Sequence, residues 1–171
     1  MSKLIGWLLI FAVCAVICTA AGGWLVSGYT MTSAAMSDAV KEGSIVFINR
    51  LAIRAWDPGR GDVILFQVPG EEAQLLRRIV ALPGETLEVK NGEVFINGAK
   101  VGEPWLVSET KEGAPQENAV PTFFGPVVIP PETYFVLGDN RFSSPDSRTF
   151  GVVKRELMIG KALSLFRVVA L

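Results

Sequence analysis

Gly138-Asp139-Asn140-Arg141-Phe142-Ser143-Ser144-Pro145-Asp146-Ser147-Arg148 decides how the rest of the chain is read. Gly-Asp-Asn is a tight-turn sequence, and the apolar run Tyr134-Phe135-Val136-Leu137 before it has the composition of a strand. After the turn, carboxylates, hydroxyls and guanidiniums alternate, and such groups can satisfy one another beside a cleft. A lone Gly-Asp-Asn turn reads as a solvated surface loop. Eleven residues in this order do not, so the box marks Asp139, Asn140, Arg141, Ser144, Asp146 and Arg148 as candidate supports of a site.

Outward from the box, the chain reads as mainly β. Ser44-Ile45-Val46-Phe47-Ile48-Asn49 and Asp62-Val63-Ile64-Leu65-Phe66-Gln67-Val68 are short β-branched runs bounded by Gly and Pro. Thr86-Leu87-Glu88-Val89-Lys90 and Glu93-Val94-Phe95-Ile96 flank Asn91-Gly92, a two-residue type I′ hairpin signal. The run from Ala162 to Val169 is expected to close the chain as a strand, and the polar, aperiodic residues 108–121 read as a mobile loop. The expected architecture is an antiparallel β domain over residues 28–171.

Residues 1–27 differ in kind. Residues 4–26 are apolar without a charge, behind Lys3. As a helix they reach roughly 35 Å, enough to cross a hydrocarbon core of about 30 Å. Small residues at Thr19-Ala20-Ala21-Gly22-Gly23 leave a cleaved signal peptide as the rival reading. The run continues through Trp24-Leu25-Val26, which favours an uncleaved anchor. Lys3 places the short N-terminus in the cytoplasm and the β domain outside. Cys14 and Cys18 both fall in this segment at i, i+4 spacing and read as small apolar residues.

Composition excludes several functions. Sixteen basic and seventeen acidic residues leave a net charge of −1, with no basic stripe for nucleic acid. Arg50, Arg54 and Arg60 around Trp56 read as a solvated loop within reach of lipid head groups. The chain has no histidine, which removes Ser-His-Asp and Cys-His catalysis. With no cysteine in the β domain, a zinc site is not expected either, nor any other metal or cofactor.

The signature box resembles the GDNRxxSxDSR motif of bacterial type I signal peptidases, membrane serine proteases with a Ser-Lys dyad. Arg60-Gly61-Asp62-Val63-Ile64-Leu65-Phe66 is similar to that family's GDVVVF strand, and Arg77-Arg78-Ile79-Val80-Ala81-Leu82-Pro83-Gly84-Glu85 to its KRVIGLPGD segment. Asn91-Gly92, Asn97-Gly98 and Glu103-Pro104-Trp105 resemble NG…ING…EPY, and Phe150-Gly151 and Gly160-Lys161-Ala162 its closing FG…GKA. The resemblance implies one membrane helix carrying a β domain on the outer face of the bacterial plasma membrane. It also implies an extended peptide bound beside the nucleophile segment.

At the catalytic positions this chain departs from the family. The SMxPTLxxGD segment falls on Ala35-Met36-Ser37-Asp38-Ala39-Val40-Lys41-Glu42-Gly43-Ser44, so the nucleophile position holds Ala35. Alanine has no hydroxyl and cannot form an acyl-enzyme. The general-base position holds Arg77, whose guanidinium does not deprotonate in proteins. Asp38, Ala39 and Ser44 also differ from the motif, changes that deliberate inactivation would not require. The reading is therefore a naturally inactive homologue that binds a signal peptide, an exported protein segment, or an active signal peptidase or surface-assembly machinery. The alternative is an active enzyme with a displaced nucleophile (Thr30, Thr32, Ser33 or Ser37), or an inactivated variant of one; the third is a structural subunit with a closed cleft. Met36, Asp38, Ile79 and Ala81, with Ala34, Ala39 and Leu82, are expected to line the cleft. Arg77 is expected to pair with Asp38 or Asp146.

Overall fold

A computed structural model describes residues 25–36, 39–106, 121–141 and 145–163. Most of the expected anchor, Ser37, Asp38, Ser144, nearly all of the 108–121 loop and the expected strand beyond residue 163 lie outside the described residues. No helix among the described residues is long and apolar enough to cross a membrane.

Among the described residues, eleven strands form two antiparallel sheets. The larger contains β1 (Val26–Thr30), β2 (Ile45–Asn49), β3 (Val63–Gln67), β4 (Gln74–Ala81), β9 (Thr133–Leu137), β10 (Val153–Lys154) and β11 (Met158–Ala162), in the order β1-β2-β11-β3-β4-β9-β10. The smaller contains β5 (Thr86–Lys90), β6 (Glu93–Ile96), β7 (Ala99–Lys100) and β8 (Phe124–Val128), in the order β7-β6-β5-β8. Two one-turn helices, α1 (Ala52–Ala55) and α2 (Ser147–Phe150), complete the frame with 3-10 turns at Ala34–Met36 and Arg155–Leu157.

The Asn91-Gly92 hairpin forms where expected. Both residues take positive φ, 51° and 79°, as a type I′ turn requires, and Lys90 pairs with Glu93 across it. The last strand among the described residues, β11, starts at Met158, and its register breaks between Met158 and Gly160 against β3. Gly160 is the reason β11 fits: a Cβ there would meet Ile48 Cγ2 at 2.3 Å and the Asn49 carbonyl oxygen at 2.8 Å. β1 begins at Val26, so the β domain takes in the end of the apolar run.

Three apolar clusters hold the sheets. Leu87, Val89, Val94 and Ile96 of the smaller sheet pack on Val80, Ala81, Phe135 and Leu137. Met31, Met36 and Val40 pack on Val46, Ile48, Val63, Leu65 and Leu76. Ile64, Phe66, Ile79, Tyr134 and Val136 form the third, with Val153 and Met158. β9 is buried along its whole length and divides between cores: Tyr134 and Val136 enter one, Phe135 and Leu137 another. This is the two-residue alternation of a strand covered on both faces.

Candidate functional site

The signature box leaves β9 at Gly138 and is pinned residue by residue. Arg78 of β4 grips Asp139 with two hydrogen bonds, Nε to Oδ1 at 2.8 Å and Nη2 to Oδ2 at 2.6 Å. Its Nη1 donates to the Gly61 carbonyl at 2.7 Å, and its guanidinium lies 5.1 Å from the Trp105 ring centre. Arg141 donates to the carbonyls of Gly138 and Gly92 and to the Glu103 carboxylate, joining the box to the hairpin and to the segment before the expected loop. Asp146 caps α2, accepting from the Arg148 backbone N–H at 3.0 Å. It also pairs with the Arg148 guanidinium at 2.7 Å, with both side chains fully buried. Arg148 reaches on to the carbonyls of Arg141 and Pro121. Ser147 Oγ accepts from the Val136 N–H, tying α2 to β9.

Ala35 sits against this loop. It lies in the Ala34–Met36 turn, fully buried, and its carbonyl accepts from the Asn140 N–H at 2.9 Å. The approach is close enough to require glycine at 138, where a Cβ would stand 2.8 Å from the Ala35 oxygen. Residues 34–36 form a 3-10 turn, in which alternate residues do not share a face.

Arg77 is 1% exposed, which excludes a side chain reaching solvent along its aliphatic stem. Its Nε and Nη2 donate to the Pro145 carbonyl at 3.1 and 2.8 Å, and Nη1 donates to the Leu76 carbonyl at 2.7 Å. Pairing with Asp146 is not what forms, because Arg148 holds that carboxylate; Asp38 lies outside the described residues. The box thus holds Arg77 through a backbone carbonyl. Burial pushes its pKa down, and nearby Asp146, Tyr29 and Asp139 pull the other way. The side chain remains a cation.

Met36, Ile79 and Ala81 are each fully buried, one in each of the three cores, and the expected cleft residue Asp38 lies outside the described residues. Asp139, Asn140, Arg141, Asp146 and Arg148 do come together, and they bring Ala35 and Arg77 to the same loop. Sequence reading missed Arg78 and Tyr29. The signal for Arg78 was available: two adjacent arginines on a strand buried on both faces need two separate sets of acceptors.

A two-sheet antiparallel domain with this box clamped onto β4 is a mainly β fold of the signal peptidase I type, and it is similar to a crystal structure of a signal peptidase I from Enterococcus faecalis V583. That match has a TM-score of 0.52 and 35% identity, and covers 61% of this chain and 96% of the other. Residues 4–167 match the family described as Signal peptidase, peptidase S26, and the chain belongs to it. A Signal peptidase I of Bacillus amyloliquefaciens is 30% identical over 166 residues, covering 96% of this chain and 89% of the relative. Signal peptidase IB of Staphylococcus aureus (strain Mu50 / ATCC 700699) is 31% identical over 170 residues, with 93% and 87% covered.

Proposed function

We propose that this signal peptidase I homologue has lost its catalytic dyad and binds extended peptide segments of exported proteins without cutting them. The observation that carries the reading is Arg77. A buried guanidinium locked between the Pro145 and Leu76 carbonyls occupies the general-base position, and it cannot take a proton from a hydroxyl. Ala35, at the nucleophile position, offers a methyl group. Partners in this reading are a signal peptide or exported segment, with a dyad-bearing signal peptidase or surface-assembly machinery as its associates.

The apolar segment ahead of β1 serves as a single membrane anchor with the N-terminus in the cytoplasm, and the β domain from Val26 onward lies outside the bacterial plasma membrane. Val26, Ile45, Phe47, Leu51 and Leu163 are large apolar residues left exposed at the β1–β2–β11 end of the larger sheet. This apolar surface follows directly on the anchor, which supports a domain resting on lipid.

The test is cleavage of a purified preprotein by the full chain, with labelling by a serine-directed acylating inhibitor as a second readout. No cleavage and no label are expected. Efficient turnover would overturn the inactive reading in favour of a displaced nucleophile. The double variant Ala35→Ser, Arg77→Lys is expected to cleave weakly at best, since Asp38, three residues from the restored serine in sequence, brings a negative charge that favours the protonated lysine.

A further inference from the structure

A groove of about 580 Å³ is lined by Ile53 of α1, by Pro131, Glu132 and Thr133 at the start of β9, and by Lys154, Arg155 and Glu156 where β10 passes into the following 3-10 turn. None of these residues belongs to the signature box. One wall is braced: Arg155 Nη2 donates to the carbonyls of Ile53 at 3.4 Å and Trp56 at 2.7 Å, and Nη1 donates to Asp57 Oδ1 at 3.3 Å. The rim is looser. Lys154 and Glu156 meet at 3.4 Å with side chains 65% and 72% exposed, a pair of little strength in water. Glu132 is exposed, and its carboxylate enters no ion pair among the described residues.

Glu132 also holds an uncommon backbone conformation. The Thr133 N–H donates to the Pro130 carbonyl at 3.3 Å, closing a turn with Glu132 at its third position and a φ of 56°. Glycine or asparagine ordinarily takes such a place. A glutamate there adds nothing to the turn and sets a carboxylate at the groove, the kind of local strain that accompanies a binding role.

The charges select the occupant. A bare phosphate at Lys154 would also face Glu132 and Glu156, and a bare amine at Glu132 would also face Lys154 and Arg155. A ligand carrying both charges finds an opposite charge for each. Ile53 and Pro131 add apolar surface for its carbon chain. The position of the groove indicates the source. β1 begins, β2 ends and β11 begins at one end of the larger sheet, where Val26 pairs with Asn49 and Asn49 with Lys161. α1 follows β2 and the 3-10 turn precedes β11, so the groove lies at the end where the chain enters β1 from the apolar segment, together with the exposed Val26 and Leu51.

We propose that this groove binds the aminoethyl phosphodiester head group of a membrane lipid, with Glu132 on the ammonium and Lys154 on the phosphate. The lipid source rests on the anchor reading above, whereas the chemistry of the groove does not.

The full chain in neutral detergent is titrated with phosphatidylethanolamine, phosphatidylcholine or phosphatidylglycerol, and retained lipid is counted by native mass spectrometry. Phosphatidylethanolamine is expected to bind about tenfold tighter than either of the others, since only its primary ammonium donates to a carboxylate. Glu132→Gln should abolish that preference, and Lys154→Gln should weaken all three lipids. Both variants should melt with the native chain, because both side chains are exposed. Equal retention of the three lipids, or a preference that survives Glu132→Gln, overturns the proposal. Soluble glycerophosphoethanolamine that displaces the lipid at equal concentration overturns the lipid source and assigns the groove to a free amino phosphate. Orientation of the anchor is read separately, by protease added to intact cells, so a wrong anchor and an empty groove give different failures.

Discussion

Arg77 and Arg78 are neighbours in sequence that do different work. Arg78 balances Asp139 in a pair with side chains 7% and 0% exposed, and removing one partner leaves the other charged in a dry setting. Asp139→Asn is therefore expected to destabilise the domain by about 3–5 kcal/mol, read from urea unfolding at neutral pH. Arg77 is satisfied by carbonyls, and only a planar fork reaches both Pro145 and Leu76. Arg77→Lys should cost about 1–3 kcal/mol in the same measurement by leaving a buried carbonyl unmet. It should not confer cleavage while Ala35 remains. The partners of these two arginines were not legible in the sequence. An acceptor supplied by a backbone carbonyl such as Pro145 O leaves no trace in residue type, so Asp146 was expected where this carbonyl stands.

At the scale of elements, hairpins were the most readable feature, because the turn chemistry of Asn91-Gly92 is local and fixes the register of β5 and β6 by itself. The helical turn at Ala34–Met36 was not readable. Small and polar residues there suit either backbone, and the outcome is set by distant partners: Met36 enters a core and the Ala35 carbonyl meets Asn140. The same contact predicts a sharp response at Gly138. Gly138→Ala drives a methyl toward the Ala35 oxygen, which backbone on both sides prevents from yielding easily. A loss of about 1–3 kcal/mol in thermal or urea unfolding is expected, with faster hydrogen exchange at the Asn140 amide. Unchanged exchange there would show that the turn and the box are not coupled.

Across the whole molecule, the proposed topology sets the accessibility of the polar segment 108–121. It carries Lys111, so trypsin added to intact cells should cut there. Protection until the membrane is breached would reverse the orientation. The global order of the larger sheet was the least legible feature in the sequence, since nothing local shows that β11 enters between β2 and β3. That insertion has a consequence for when the domain can exist at all. Among the described residues, β1 and β2 join the other strands through β11, which is synthesised after every other described strand, and pairing so distant in sequence is slow and comes late. A chain halted before Met158 holds two separate pieces of sheet with open edges. The expected result is that a ribosome-arrested chain ending at residue 155 stays protease-sensitive, while one carrying residue 163 clear of the ribosome becomes resistant. In the proposed topology, where the β domain is threaded across a membrane as an extended strand, late closure keeps it threadable until β11 has crossed.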